Sequence, residues 1–222
     1  MKSSRTMFAC SLVVAGTAVI LAQDPAKVDS SHYKVLVDTA TVRVLEVNYA
    51  AGGKGVMHAH PDSIIVPLAA SKVRFNTPDG KFTDSELPNE SASCAPAGVH
   101  TPVNIGTTAV RAIVVEFKGA AGKAVLPADR ASLTMKPIAE CARATAYRAS
   151  ADAKFSEPAG TKHDYDQVVI ALGAAQMSLA IDGKPAKTTW ARGDVQFIGR
   201  GVAHESKNTG GKPVDFIIVS IK

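Results

Sequence analysis

Five of the six histidines in this 222-residue chain fall where they can act together. His58 and His60 are one residue apart, and in a β-strand residues i and i+2 share a face, so both imidazoles can address one interior point. A third ring from another strand, His100, would complete a facial set of three nitrogens and leave coordination positions open to water or a substrate. Such a set holds zinc and suits iron, copper and nickel as well. Later in the chain His163 and His204 recur, with Tyr165 and Gln167 beside the first of them. His32 stands apart, ahead of the first strand-like run.

Little else in the chain offers chemistry. Ser/His/Asp and Cys/His arrangements at useful spacing are absent, as are paired carboxylates. Ala51 to Gly55 has the glycine content of a phosphate loop without its spacing or its following helix, and reads as a turn. Trp190 reads as core, Asn104 and Asn208 as turn caps, and Asp62 either as a turn residue or as a partner that orients a ligand ring.

The elements that must position these residues are short β-branched runs separated by turn signals, the pattern of an all-β barrel or sandwich. The runs are Tyr33 to Val37, Val42 to Tyr49, Ser63 to Leu68, Lys72 to Asn76 and Arg111 to Lys118, then Gln167 to Leu172, Met177 to Ile181, Lys187 to Trp190, Val195 to Ile198 and Val214 to Lys222. Asp79-Gly80 and Asp182-Gly183 are signals for two-residue hairpins. The best helical candidate is Ile138 to Arg148, inside an Ala-rich stretch with Gly and Pro, residues 119–145, that reads as a linker.

The two sets of runs overlay at a shift of 104 residues. Asp62 to Leu68 matches Asp166 to Leu172, His100 matches His204, Asn104 matches Asn208, and Ile113 to Val115 matches Ile217 to Val219. Upstream of Asp166 the shift becomes 105, which aligns Gly55 to His58 with Gly160 to His163. His60 then corresponds to Tyr165.

Gly52, five residues, then His58-Ala59-His60 resembles the first motif of the cupin family. The glutamate usual in that motif is missing, since Ile64 and Ile65 occupy its place. Pro96-Ala97-Gly98-Val99-His100 with Asn104 resembles the second motif with one residue deleted before the histidine. In the second copy Gly193, Gly201, His204 and Asn208 keep the full spacing, with Gly199 in place of the proline. The resemblance implies two tandem jelly-roll barrels, residues 23–118 and 146–222, and a divalent ion (Fe, Zn, Mn, Ni or Cu) on His58, His60 and His100. In the second barrel His163, Tyr165, Gln167 and His204 make a poor set for a dissociable metal, so packing or metal-free binding of a small molecule is expected there. Cupin folds carry many chemistries, so two classes of function stand: a metalloenzyme of oxygenase or isomerase type, and a non-catalytic small-molecule-binding module.

Composition narrows the partners. Lys2 and Arg5 followed by an uncharged run from Met7 to Ala22 read as an export signal, residues 1–22, which places the processed chain in a periplasmic or secreted setting without a membrane anchor. Without Lys2 and Arg5, the 25 basic residues become 23 against 20 acidic ones. That near-neutral balance, with basic residues scattered and only 5% aromatics, argues against a nucleic-acid partner. A small-molecule ligand is expected, and a homo-oligomer is compatible with it. Of three cysteines, Cys94 and Cys141 lie beyond the leader; their pairing is left open by the sequence.

Overall fold

The computed structural model describes residues 23–120, 122–124, 126–127 and 129–222; the expected export signal lies outside them. A short helix α1 (Pro25–Val28), capped by the Asp24 side chain, precedes the strands. In the first half these are β1 (Tyr33–Asp38), β2 (Val42–Tyr49), β3 (His58–His60), β4 (Ser63–Pro67), β5 (Ser71–Asn76), β6 (Phe82–Leu87), β7 (Ser93–Ala95), β8 (Gly98–Asn104) and β9 (Val110–Phe117). The second half repeats them as β10 (Leu133–Glu140), β11 (Ala144–Ala151), β12 (Ser156–Thr161), β13 (Asp166–Ala171), β14 (Ala175–Ile181), β15 (Lys184–Trp190), β16 (Val195–Ile198), β17 (His204–Asn208) and β18 (Val214–Ile221). No described helix is long and apolar enough to cross a membrane.

Each half folds into one five-stranded and one four-stranded sheet. The orders are β1-β2-β9-β4-β7 with β3-β8-β5-β6, and β10-β11-β18-β13-β16 with β12-β17-β14-β15. Adding nine to each strand number of the first half gives the second, so the halves share one antiparallel jelly-roll topology. Even the bulge in the opening strand recurs, between Val35 and Val37 and between Pro137 and Ala139.

Three expectations need correction. Ile138 to Arg148 is not helical: it spans the end of β10 and the start of β11, and the presumed linker supplies the edge strand of the second barrel. The alanines of β11 face two cores, Ala144 and Ala146 one, Ala149 and Ala151 the other. Small residues fit there because both faces of the sheet are covered, so burial overrides helix propensity. Asp79-Gly80 does not form a two-residue loop; it sits within the five residues between Asn76 and Phe82. Asp182-Gly183 does, with both residues at positive φ (48° and 71°) between the paired Ile181 and Lys184.

The two five-stranded sheets pack face to face. Val42, Val44, Ile64, Val66, Ile113 and Val115 of the first meet Val168, Ile170, Ile217 and Val219 of the second in the largest core. The alternate residues of the same strands fill the two barrel interiors: Leu45, Val47, Ala112 and Val114 in one, Ala149, Phe216 and Ile218 in the other. Arg192 bridges the halves by donating to the Leu68 and Leu172 carbonyls and to Glu90, which also accepts from Arg148.

Cys94 of β7 and Cys141, just beyond β10, form a disulfide with Cα atoms 5.8 Å apart, closing a loop of 47 residues. The chain-entropy relation for a loop of that length gives a stabilisation of about 4 kcal/mol. A Cys94→Ser/Cys141→Ser variant should lose stability of that order in urea titration and keep its far-ultraviolet spectrum; wild-type stability would show that the link constrains nothing.

Candidate metal centre

Cross-strand pairing assembles the first cluster. β3 pairs antiparallel with β8 so that His58 lies directly opposite His100, and residues opposite one another point to the same face. His60 lies opposite Gly98. The residue deleted before His100 is absorbed at the start of β8, where Gly98 and Val99 pair with His60 and Ala59 and keep His100 opposite His58. Asp62 Oδ1 accepts the Ala97 N–H at 2.8 Å, so Asp62 anchors that turn and does not orient a ligand ring.

The three rings lie 4.8 to 5.3 Å apart between centroids, and one nitrogen from each lies within 4.8 Å of the others. Hydrogen bonds select those nitrogens. His58 Nδ1 donates to the Val56 carbonyl at 2.7 Å, which leaves Nε2 as the ring's acceptor, and the Tyr33 hydroxyl donates to it at 3.0 Å. His60 Nδ1 donates to Glu116 at 2.6 Å, freeing its Nε2. Phe75 packs against His100 with centroids 4.9 Å apart.

Burial keeps His58 and His100 neutral, as ligation requires. Desolvation, then the neighbouring His60, pushes His58 down to about 4; desolvation, then His60 and His58, pushes His100 down to about 3. Sequence reasoning missed Glu116, which is 1% exposed on β9. Burial pushes its carboxyl up, but His60 and Arg43, the latter at 2.5 Å, outweigh that and hold it below its ordinary value. Arg43 also pairs with Asp24 at 2.9 Å, so two carboxylates oppose one guanidinium behind the rings. The excess negative charge favours a cation at the cluster. Its signal in the sequence is a lone charge inside the apolar run Ile113 to Phe117.

His60 and His100 lie on the wall of a cavity of about 70 Å³ formed mainly by apolar side chains, including Val47, Val73, Phe75 and Val114. The donor set and the charge behind it fit a divalent ion.

In the second barrel His163 and His204 come together, with ring centroids 4.9 Å apart, and Tyr165 stacks on His163 at 4.9 Å. Gln167 lines the cavity of that barrel, about 60 Å³, along with Glu157. Glu157, again missed, stands where the repeat places Gly52 and joins both histidines in a second group with ligand atoms within 4.8 Å of one another.

No protein-family sequence model matches the chain, and no curated protein does. Solved structures do. AerE from Microcystis aeruginosa is similar over 86% of this chain and 93% of its own, with 14% identity and a TM-score of 0.65. A cupin 2 conserved barrel domain protein from Leptotrichia buccalis covers 86% and 88% at 11% identity and a TM-score of 0.57. Salicylate 1,2-dioxygenase from Pseudaminobacter salicylatoxidans covers 85% and 76% at 9% identity and 0.62. The chain therefore has the tandem cupin fold, two jelly-roll barrels in one polypeptide.

Unfolding returns His58 and His100 to an ordinary value of 6.5 from about 4 and 3, so between these values the unfolded chain binds more protons. Their contribution is complete above pH 6.5 and is lost as pH falls toward the folded values. In chelator-treated protein the urea midpoint should drop between pH about 6.5 and about 5 by more in the wild type than in a His58→Gln/His100→Gln variant. Equal drops would show that the two rings are not held neutral.

Proposed function

We propose that the protein is an exported metal-dependent bicupin in which His58, His60 and His100 hold a divalent ion for work on a small organic molecule, as an enzyme of oxygenase or isomerase type. The observation that carries this is the convergence of three imidazoles, two of them on the wall of a cavity formed mainly by apolar side chains. A divalent ion held there would supply Lewis-acid or redox chemistry to a molecule that ligates it.

The chain's own residues do the rest. Glu116 fixes the tautomer and orientation of His60, and the Tyr33 hydroxyl, kept protonated by burial, donates to His58 Nε2, a bond that an ion on that nitrogen would replace, leaving the O–H for the molecule held there. The apolar walls exclude water and suit a compact substrate with an apolar body and an oxygen donor, such as a small organic acid or diol, better than a sugar. That salicylate 1,2-dioxygenase, named for an aromatic acid, shares the fold supports this class of substrate. The Cys94–Cys141 disulfide supports the export reading, because such bonds persist in oxidising compartments.

The test is metal content by mass spectrometry of protein purified without chelators. A His58→Ala/His60→Ala variant should carry about one divalent ion per chain fewer than the wild type, and unchanged content would overturn the site. Glu116→Gln, which keeps shape and loses charge, should weaken affinity by about 10- to 100-fold at the first barrel. An undiminished affinity would remove Glu116 from the assembly.

A further inference from the structure

The second barrel contains a cluster for which the fold has no structural use. His204, 2% exposed, sits on β17 opposite Thr161 of β12. Its Nδ1 faces the Val202 carbonyl at 3.3 Å, so that nitrogen carries the proton and Nε2 turns inward. His204 Nε2 has no hydrogen-bond partner, and neither has the buried Nε2 of His163. Both point at one carboxylate: Glu157 Oε2 lies 3.5 Å from His204 Nε2 and Oε1 lies 3.7 Å from His163 Nε2. These separations exceed a good hydrogen bond and suit atoms arranged around a common centre.

Local structure explains the convergence. β12 shifts register between Glu157 and Thr161, with Gly160 at φ +84°, and such a bulge re-aims the side chains on either side of it. The Gly201 N–H donates to the His163 carbonyl at 2.8 Å and fixes the backbone there. Ser206 donates to Glu157 Oε2 at 2.6 Å and Arg130 pairs with Oε1, so the carboxylate is held from behind while facing the two rings.

We propose that Glu157, His163 and His204 form a second divalent-cation site, a two-histidine, one-carboxylate set, with Arg130 as the counter-charge of Glu157 when no cation is bound. A proton on His204 Nε2 is the alternative way to fill the gap. It would satisfy one ring and leave His163 Nε2 buried and unpaired, whereas a cation satisfies all three groups. Two histidines with a carboxylate and open positions suit a divalent first-row metal. Arg130 repels that ion, and its removal strengthens binding. None of these residues belongs to the first barrel's cluster, so this site stands or falls independently of the one on His58, His60 and His100.

The experiment titrates Co²⁺ into chelator-treated full-length protein carrying His58→Ala/His60→Ala, followed by visible absorption and calorimetry. The expected result is about one saturable Co²⁺ per chain, weakened at least about tenfold by adding Glu157→Gln or His163→Ala and tightened severalfold by adding Arg130→Gln. Absence of saturable Co²⁺ binding in the first-barrel variant would overturn the site. So would binding that Glu157→Gln and His163→Ala leave unchanged, since the ion would then sit elsewhere. Thermal melts establish that each variant is folded, and Arg130→Gln tests the site with all three ligands in place, so that weaker or unaltered binding there refutes the role given to Arg130.

Discussion

The arrangement of both sites depends on one constraint: the central strands β2, β4 and β9, and their counterparts β11, β13 and β18, are covered on both faces. A strand in that position reads as a continuous apolar run, as β9 and β18 do, and its period of two divides it between two cores. Ile113, Val115 and Phe117 go to the contact between barrels, while Val110, Ala112 and Val114 go to the barrel interior. Glu116 shares the parity of the second set. Its carboxylate therefore faces inward with no access to water, and is tolerable only because Arg43 and His60 are there to meet it. The ion pair that compensates the buried charge is the same one that orients a histidine of the cluster.

The barrels have distributed this buried negative charge differently. The first has Glu116 on its last strand and Gly52 at the position equivalent to Glu157; the second has Ser220 on its last strand and Glu157 ahead of its first histidine. Each interior thus contains one anionic residue beside its histidines, behind the rings in one case and among them in the other. The exchange has left a trace, since the Ser220 hydroxyl is buried without a partner where the first barrel has its carboxylate. Tyr165 in place of His60 belongs to the same change. With no second histidine beside His163, there is no ring for a carboxylate on β18 to orient.

Repetition and period made much of this legible in advance. The shift of 104 residues follows from strands whose length and register are fixed by the sheets they share, and His58 with His60 announces itself because i and i+2 share a face. Glu157 was invisible for a reason of geometry: five residues separate it from His163, and only the bulge at Gly160 brings the two together. Glu116 was hidden by its apolar neighbours, whose pattern says that the strand is buried and nothing about which buried position can carry charge. β10 and β11 were concealed by their alanines, which local propensity assigns to helix and which only the packing of one barrel on the other assigns to strand.

The turns before β8 and β17 show why the cluster survives a change of spacing. In the first copy Asp62 accepts the Ala97 N–H, and in the second its counterpart Asp166 accepts the Arg200 N–H at 2.7 Å. The same side chain thus clamps both turns at the residue before the glycine, and the one-residue difference falls just after the clamp, at Gly98 and Val99, where β8 already pairs with β3. That pairing holds the register: a slip of one residue between β8 and β3 would turn His100 to the opposite face and put Val99 or Thr101 into the cluster. The clamp works on a segment held at its other end as well. β7 pairs with β4 through Cys94 and Ala95, and Cys94 is bonded to the second barrel. His100 therefore leaves a turn fixed by a carboxylate on one side and a disulfide on the other, which is how a ligand on a short strand is positioned from outside the barrel that it serves.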